Sequence, residues 1–222
     1  MAKNVNNEEV RPQVGEAISK TEVFFKKHGN KIVWTGVVLI GIFAIILAVI
    51  QFWYKPAVKE AQGQAFAAEQ QFAAGEFETA LNGDGNNLGF VQIIDKYGSK
   101  AGASMYLYAG ICELQLKNAE SALNYLNKYS GGDDILNARA ECCKGDAYAM
   151  QENYAKAIAC YMKAADMADN SFAATYLLKA GILHEETGDA AAALNCYNRI
   201  KESYPQTYEG FEIDKYISRI QK

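Results

Sequence analysis

The stretch ECCKGDAYAMQENYAKAIACYMKAAD, residues 141–166, decides how the chain folds. It reads as two helices joined at Glu152-Asn153. Gly145 sits in the middle of the first helix, Ala157 near the start of the second, and the large Tyr161 four residues further on. The same columns recur on both sides. YLYAGICELQLKNAESALNYL, residues 106–126, supplies Gly110, Ala122 and Leu126; LLKAGILHEETGDAAAALNCYNRI, residues 177–200, supplies Gly181, Ala193 and Tyr197. QQFAAGEFETAL, residues 70–81, extends the series to Gly75, so that the four glycines stand 35, 35 and 36 residues apart. One fixed period of small, small and large residues is the mark of a helical solenoid.

The physical logic is close packing. A glycine in mid-helix costs about 1 kcal/mol relative to alanine. It is expected where an antiparallel second helix comes too near for a side chain, with Ala on that helix and Leu or Tyr filling the space beside it. The connections fall at Lys117-Asn118, Glu152-Asn153 and Gly188-Asp189, polar residues suited to ending one helix and capping the next. The 34 alanines and 3 prolines of the chain agree with an all-α fold.

These columns resemble the tetratricopeptide repeat family. Gly145, Tyr148, Tyr154, Ala157, Tyr161 and Ala164 stand at the family's spacing, and Pro205 takes its closing position in the next unit. The slot for the large first-helix aromatic holds Tyr106, then Glu141, then Leu177. The first unit is the poorest, with Asn87 where Ala is expected and the loop LNGDGNNLG between its helices. The resemblance implies three repeats over residues 101–207, preceded by a connecting helix and a degenerate repeat over 55–100. The segment 208–222, YEGFEIDKYISRIQK, closes the array as a capping helix.

Ahead of the repeats lies IVWTGVVLIGIFAIILAVIQFWY, residues 32–54, without a single charge. A spanning helix needs about 20 such residues. Trp34 at one end and Phe52, Trp53 and Tyr54 at the other suit the two bilayer interfaces. The run is longer than the apolar core of a signal peptide, follows a 31-residue hydrophilic head and ends on aromatics, so it reads as an uncleaved anchor. Lys20, Lys26, Lys27 and Lys31 precede it, and Lys55 and Lys59 follow. That bias places the head in the cytoplasm and the repeats across the membrane. Ala44 and Ala48 form a small-xxx-small pair that reads as ordinary lipid-facing alanine.

This layout of head, span and repeat domain is similar to the YfgM-like ancillary subunits of the bacterial Sec translocon, as are the runs GFVQIIDKYGSKAG, residues 89–102, and RIKESYPQT, residues 199–207. The resemblance implies a single-pass inner-membrane protein with a periplasmic domain. Its expected partners are SecYEG, a PpiD-like chaperone and exported polypeptides. A scaffold for another cell-envelope or secretion complex is the alternative.

No chemistry stands out. The residues from 32 onward carry 16 Lys and Arg against 22 Asp and Glu, a balance of -6 that argues against nucleic acid. His28 reads as an interfacial residue, and His184 with Glu185 and Glu186 cannot converge on one ion because adjacent helical residues diverge. Gly83, Gly85 and Gly89 lack the spacing of a dinucleotide loop. No catalytic residue, metal ligand or cofactor is assigned. An enzyme would need a cleft gathering Arg139, Asp146 and His184. Cys112, Cys142, Cys143, Cys160 and Cys196 read as small apolar packing residues, a reading in tension with an oxidising periplasm. Partner binding is expected on the concave face lined by Leu107 and Ile111, Cys142 and Asp146, and Leu178 and Ile182. The largely apolar set suits an apolar or amphipathic helical segment.

Overall fold

The computed structural model describes residues 10–168 and 170–221; residues 1–9 of the expected head and Lys222 of the expected cap lie outside the described residues. Among the described residues every regular element is helical. The chain divides between Pro56 and Ala57 into two units. The first holds helix α1, Val10–Val49, and a π-helical stretch, Ile50–Tyr54. Pro56 lies two residues after Tyr54, and a proline has no N–H to donate back into the preceding turn. The helical segment Lys26–Ala73 contains an 18-residue window of mean hydropathy 2.8, none of it buried. It is long and apolar enough to cross a membrane, and its large side chains, Trp34 and Phe43 among them, are exposed.

Helix α2 (Lys55–Ala73) crosses the boundary between the two units in its first turn, and the second unit continues with α3 (Phe77–Asn82), α4 (Phe90–Tyr97), α5 (Ala103–Gln115), α6 (Ala119–Leu126), α7 (Asp134–Met150), α8 (Tyr154–Met167), α9 (Phe172–Glu186), α10 (Ala190–Ser203) and α11 (Tyr208–Ile220). Helices pair in sequence order, α5 with α6, α7 with α8 and α9 with α10, and each pair packs on the next. The core is correspondingly a row of three apolar clusters rather than one ball.

Each first helix of a pair ends in the same way. Lys117, Glu152 and Gly188 take left-handed conformations (φ 67, 58 and 83°). The N–H of the residue after each donates back to the carbonyl five residues earlier, Asn118 to Glu113, Asn153 to Tyr148 and Asp189 to His184, at 2.8–2.9 Å. This is the Schellman ending. Asn153 and Asp189 then cap the second helix through their side chains. Helix α2 ends identically: Gly75 has φ 83° and the Glu76 N–H donates to the Gln71 carbonyl at 2.9 Å.

That ending corrects the register of the first repeat. Gly75 is a turn residue, the counterpart of Gly188 and not of the mid-helix Gly181. Gly110, Gly145 and Gly181 each lie seven residues before their turn residue, and seven residues before Gly75 stands Ala68. Ala80 follows Ala68 by the same twelve residues that separate Ala122 from Gly110, and both Ala68 and Ala80 are buried. The small column of the first repeat is therefore Ala68 and Ala80; Gly75 and Asn87 belong to connections. The loop LNGDGNNLG separates α3 from α4, held by Asp84, whose carboxylate accepts from the Asn86 and Asn87 N–H groups at 2.8 and 2.7 Å. Phe72, Phe77, Phe90 and Tyr108 pack their rings at 5.1–6.2 Å centroid spacing to close this end of the core.

The mid-helix glycines make room for a side chain more than for a backbone. A Cβ on Gly145 would lie 2.5 Å from Tyr161 Cε1, on Gly181 2.3 Å from Tyr197 Cε1, and on Gly110 2.6 Å from Leu126 Cγ. In the column 36 residues after Gly181 stands Ile217, itself packed into the last cluster. Glu141, in the slot of a large aromatic, instead ties α7 to α8: it meets Lys144 at 3.0 Å and Lys163 at 3.2 Å. Burial alone would raise its carboxyl, but the two ammonium groups outweigh it and hold it below the ordinary range.

Gly145→Ala tests the packing rule. The gain in helix propensity is about 1 kcal/mol, whereas overpacking against the held Tyr161 ring costs about 1–3 kcal/mol. We expect net destabilisation by chemical denaturation, and in a double-mutant cycle with Tyr161→Ala the cost of the added methyl should disappear.

Candidate protein-binding face

Helices α5 and α7, with Tyr161 of α8, enclose a cleft of about 290 Å³, walled by Ile111, Gln115, Arg139, Asp146, Met150 and Tyr161 with Leu114, Lys117, Cys143 and Ala149. Asp146 is its fixed point. Its carboxylate accepts from the Tyr161 hydroxyl at 2.7 Å and from the Lys179 ammonium at 2.5 Å. Three helices, α7, α8 and α9, thus meet at one oxygen, with Lys179 also 5.5 Å from the centre of the Tyr161 ring. Burial and the neighbouring Asp146 push the Tyr161 hydroxyl well above its ordinary range, so it stays a donor. The next step of the array repeats the device with other residues: Arg219 of α11 pairs with Glu185 of α9.

Of the six residues expected on this face, Ile111 and Asp146 line the cleft together. Leu107 and Cys142 are corrected to core positions. They are 3% and 2% exposed, Leu107 packed with Ala122 and Leu126 and Cys142 with Tyr161 and Ala164. Leu178 is half-buried against the last cluster, and Ile182, 38% exposed, lies outside the cleft. The expected set stopped short by one helical turn. Four residues beyond Ile111 and Asp146 come Gln115 and Met150, both exposed into the cleft. The same 35-residue period carried that signal. Arg139 and Asp146 share the cleft, but His184 is elsewhere, 3.9 Å from Asp189 at the end of α9, so the three do not gather.

The five thiols are free. Four are buried and Cys160 is half-buried. Burial pushes the Cys112 and Cys142 thiols up to about 12 and Cys143 to about 11, and it raises Cys160 and Cys196 in the same direction. Among the described residues no three His, Cys, Asp or Glu side chains cluster as metal ligands would.

Residues 136–206 match the tetratricopeptide repeat. The match runs from the first turn of α7 to the end of α10 and includes the Asp146, Tyr161 and Lys179 junction. No curated protein matches the chain. The helix pairs α7–α8 and α9–α10 within that match are of the kind that mediate protein–protein interaction.

Two outcomes follow. With Asp146→Ala, Lys179 and the Tyr161 hydroxyl lose their acceptor, and stability should fall by about 1–3 kcal/mol; Asp146→Asn, which keeps an acceptor for Tyr161, should lose less. Thiol titration with a chromogenic disulfide near pH 8 should label Cys112, Cys142, Cys143 and Cys196 about tenfold or more slowly in the native chain than in guanidinium, because a thiolate is required and burial suppresses it.

Proposed function

We propose that the protein is a membrane-anchored, non-catalytic adaptor. Its apolar helix crosses the bacterial inner membrane once, with the head in the cytoplasm and the repeats in the periplasm. The repeats recruit a PpiD-like chaperone or an exported polypeptide to the SecYEG translocon. One observation carries this reading: an unburied helix of spanning length runs on into a protein-binding array whose concave cleft is polar at Asp146 and apolar at Ile111, Leu114 and Met150. Such a cleft suits an amphipathic segment.

The buried thiols ease the tension with an oxidising compartment. A cysteine that neither ionises nor reaches solvent resists disulfide exchange, so the four buried thiols are compatible with the periplasm, and half-buried Cys160 has its thiol raised by burial in the same direction. The flanking lysines support the orientation.

Two measurements test the proposal separately. Protease added to spheroplasts should digest the segment from Tyr208 onward; protection would place the repeats in the cytoplasm. Affinity purification in mild detergent should recover SecYEG components or a PpiD-like chaperone. Recovery of neither, from correctly oriented protein, would remove the translocon from the reading while leaving the adaptor.

A further inference from the structure

Three exposed apolar side chains share a register column outside the concave cleft. Leu136, Phe172 and Tyr208 follow one another at 36-residue intervals, in the first turns of α7, α9 and α11. They are 42%, 53% and 78% exposed. Single exposed apolar residues are ordinary, but Leu136 and Phe172 share one cleft and Tyr208 begins the helix held beside α9. Leu136 and Phe172, with Ile135 and Tyr176, wall an apolar cleft of about 310 Å³. The Thr175 hydroxyl donates to the Glu209 carboxylate at 2.6 Å, which brings the start of α11 against α9. Phe211, one turn after Tyr208, is exposed as well. Helix capping does not account for these side chains, since Asp133 and Thr207 cap α7 and α11.

Charge selects what fits there. Asp133 and Asp134 stand just before Leu136, and Glu209 and Glu212 alternate with Tyr208 and Phe211. Against these four carboxylates stand two cations. Arg139 also lines the concave cleft beside Asp146, and Lys215 is paired with Glu212. The net charge of the strip is therefore -2, from two cations less four acids.

We propose that this strip binds a basic amphipathic helix of another polypeptide, its apolar residues on Leu136, Phe172 and Tyr208 and its Lys or Arg beside the carboxylates. The acidic rim opposes docking on an anionic bilayer surface. The inference is independent of the translocon reading and of the concave cleft.

The test uses the full chain in nanodiscs of phosphatidylcholine, with empty nanodiscs as reference. The probes are two labelled amphipathic helical peptides of identical apolar face, one Leu/Lys and one Leu/Glu, followed by anisotropy. The Leu/Lys peptide should bind, and more weakly as salt rises. The Leu/Glu peptide should bind about tenfold or more weakly. Phe172→Ser with Tyr208→Ser should weaken Leu/Lys binding about fivefold or more, with unchanged circular dichroism. Asp134→Asn with Glu212→Gln, which leaves the apolar rungs intact, should narrow the difference between the peptides. Equal binding of both peptides, or unchanged affinity in both variants, overturns the proposal. So does a strip that serves only to pair two copies of the chain, seen as self-association lost in F172S/Y208S without peptide binding. Binding that appears only on nanodiscs containing anionic lipid also overturns it.

Discussion

The architecture depends on one contact made over and over: a large side chain from a second helix pressed onto the bare backbone of a first helix. At Gly145 and Gly181 the partner is a tyrosine ring, at Gly110 a leucine, and in each case even a methyl group would collide. The contact sets how near the two helices lie and which faces they bury. It also fixes the rotation of the first helix, and so which residues look into the concave cleft. Tyr161 shows the link most directly, since the ring that fills the space over Gly145 carries the hydroxyl that holds Asp146. Packing and site share a side chain, so a change at the glycine column is felt in the cleft.

Much of this is legible in the amino-acid sequence. The 35- and 36-residue spacing of Gly110, Gly145 and Gly181, with Ala and a large residue at constant offsets, located the three later repeats and their turns. The first repeat was misread by seven residues, for a physical reason. Glycine serves two unrelated ends, leaving space in mid-helix and accepting a positive φ at a helix end, and the residue letter does not say which. Gly75 fell on the period by coincidence. The true small residue, Ala68, was hidden among other alanines. At the face, helical spacing expects Ile111 and Asp146 side by side, and both line one cleft. Burial of Leu107 and Cys142 depends on how deeply neighbouring pairs interlock, which no single helix reveals. Lys179 was invisible because its role arises across 33 residues from Asp146.

Two kinds of polar contact differ in what they join. Glu141 with Lys144 and Lys163 acts within one pair, α7 and α8. Asp146 with Lys179, Glu185 with Arg219, and Glu209 with Thr175 act between successive first helices. Apolar burial sets the distance between pairs but is tolerant of sliding, whereas an ion pair of fixed length is not. The inter-pair contacts therefore govern the curvature on which a concave cleft depends.

The column that holds glycine in three first helices ends at Ile217 in α11. With a branched side chain there, no further tyrosine-bearing helix can seat on α11 as α10 seats on α9. A repeat grafted onto the C-terminus would hang unpacked; to lengthen the superhelix, a helix pair would have to be spliced between α10 and α11, leaving Ile217 as the final stop.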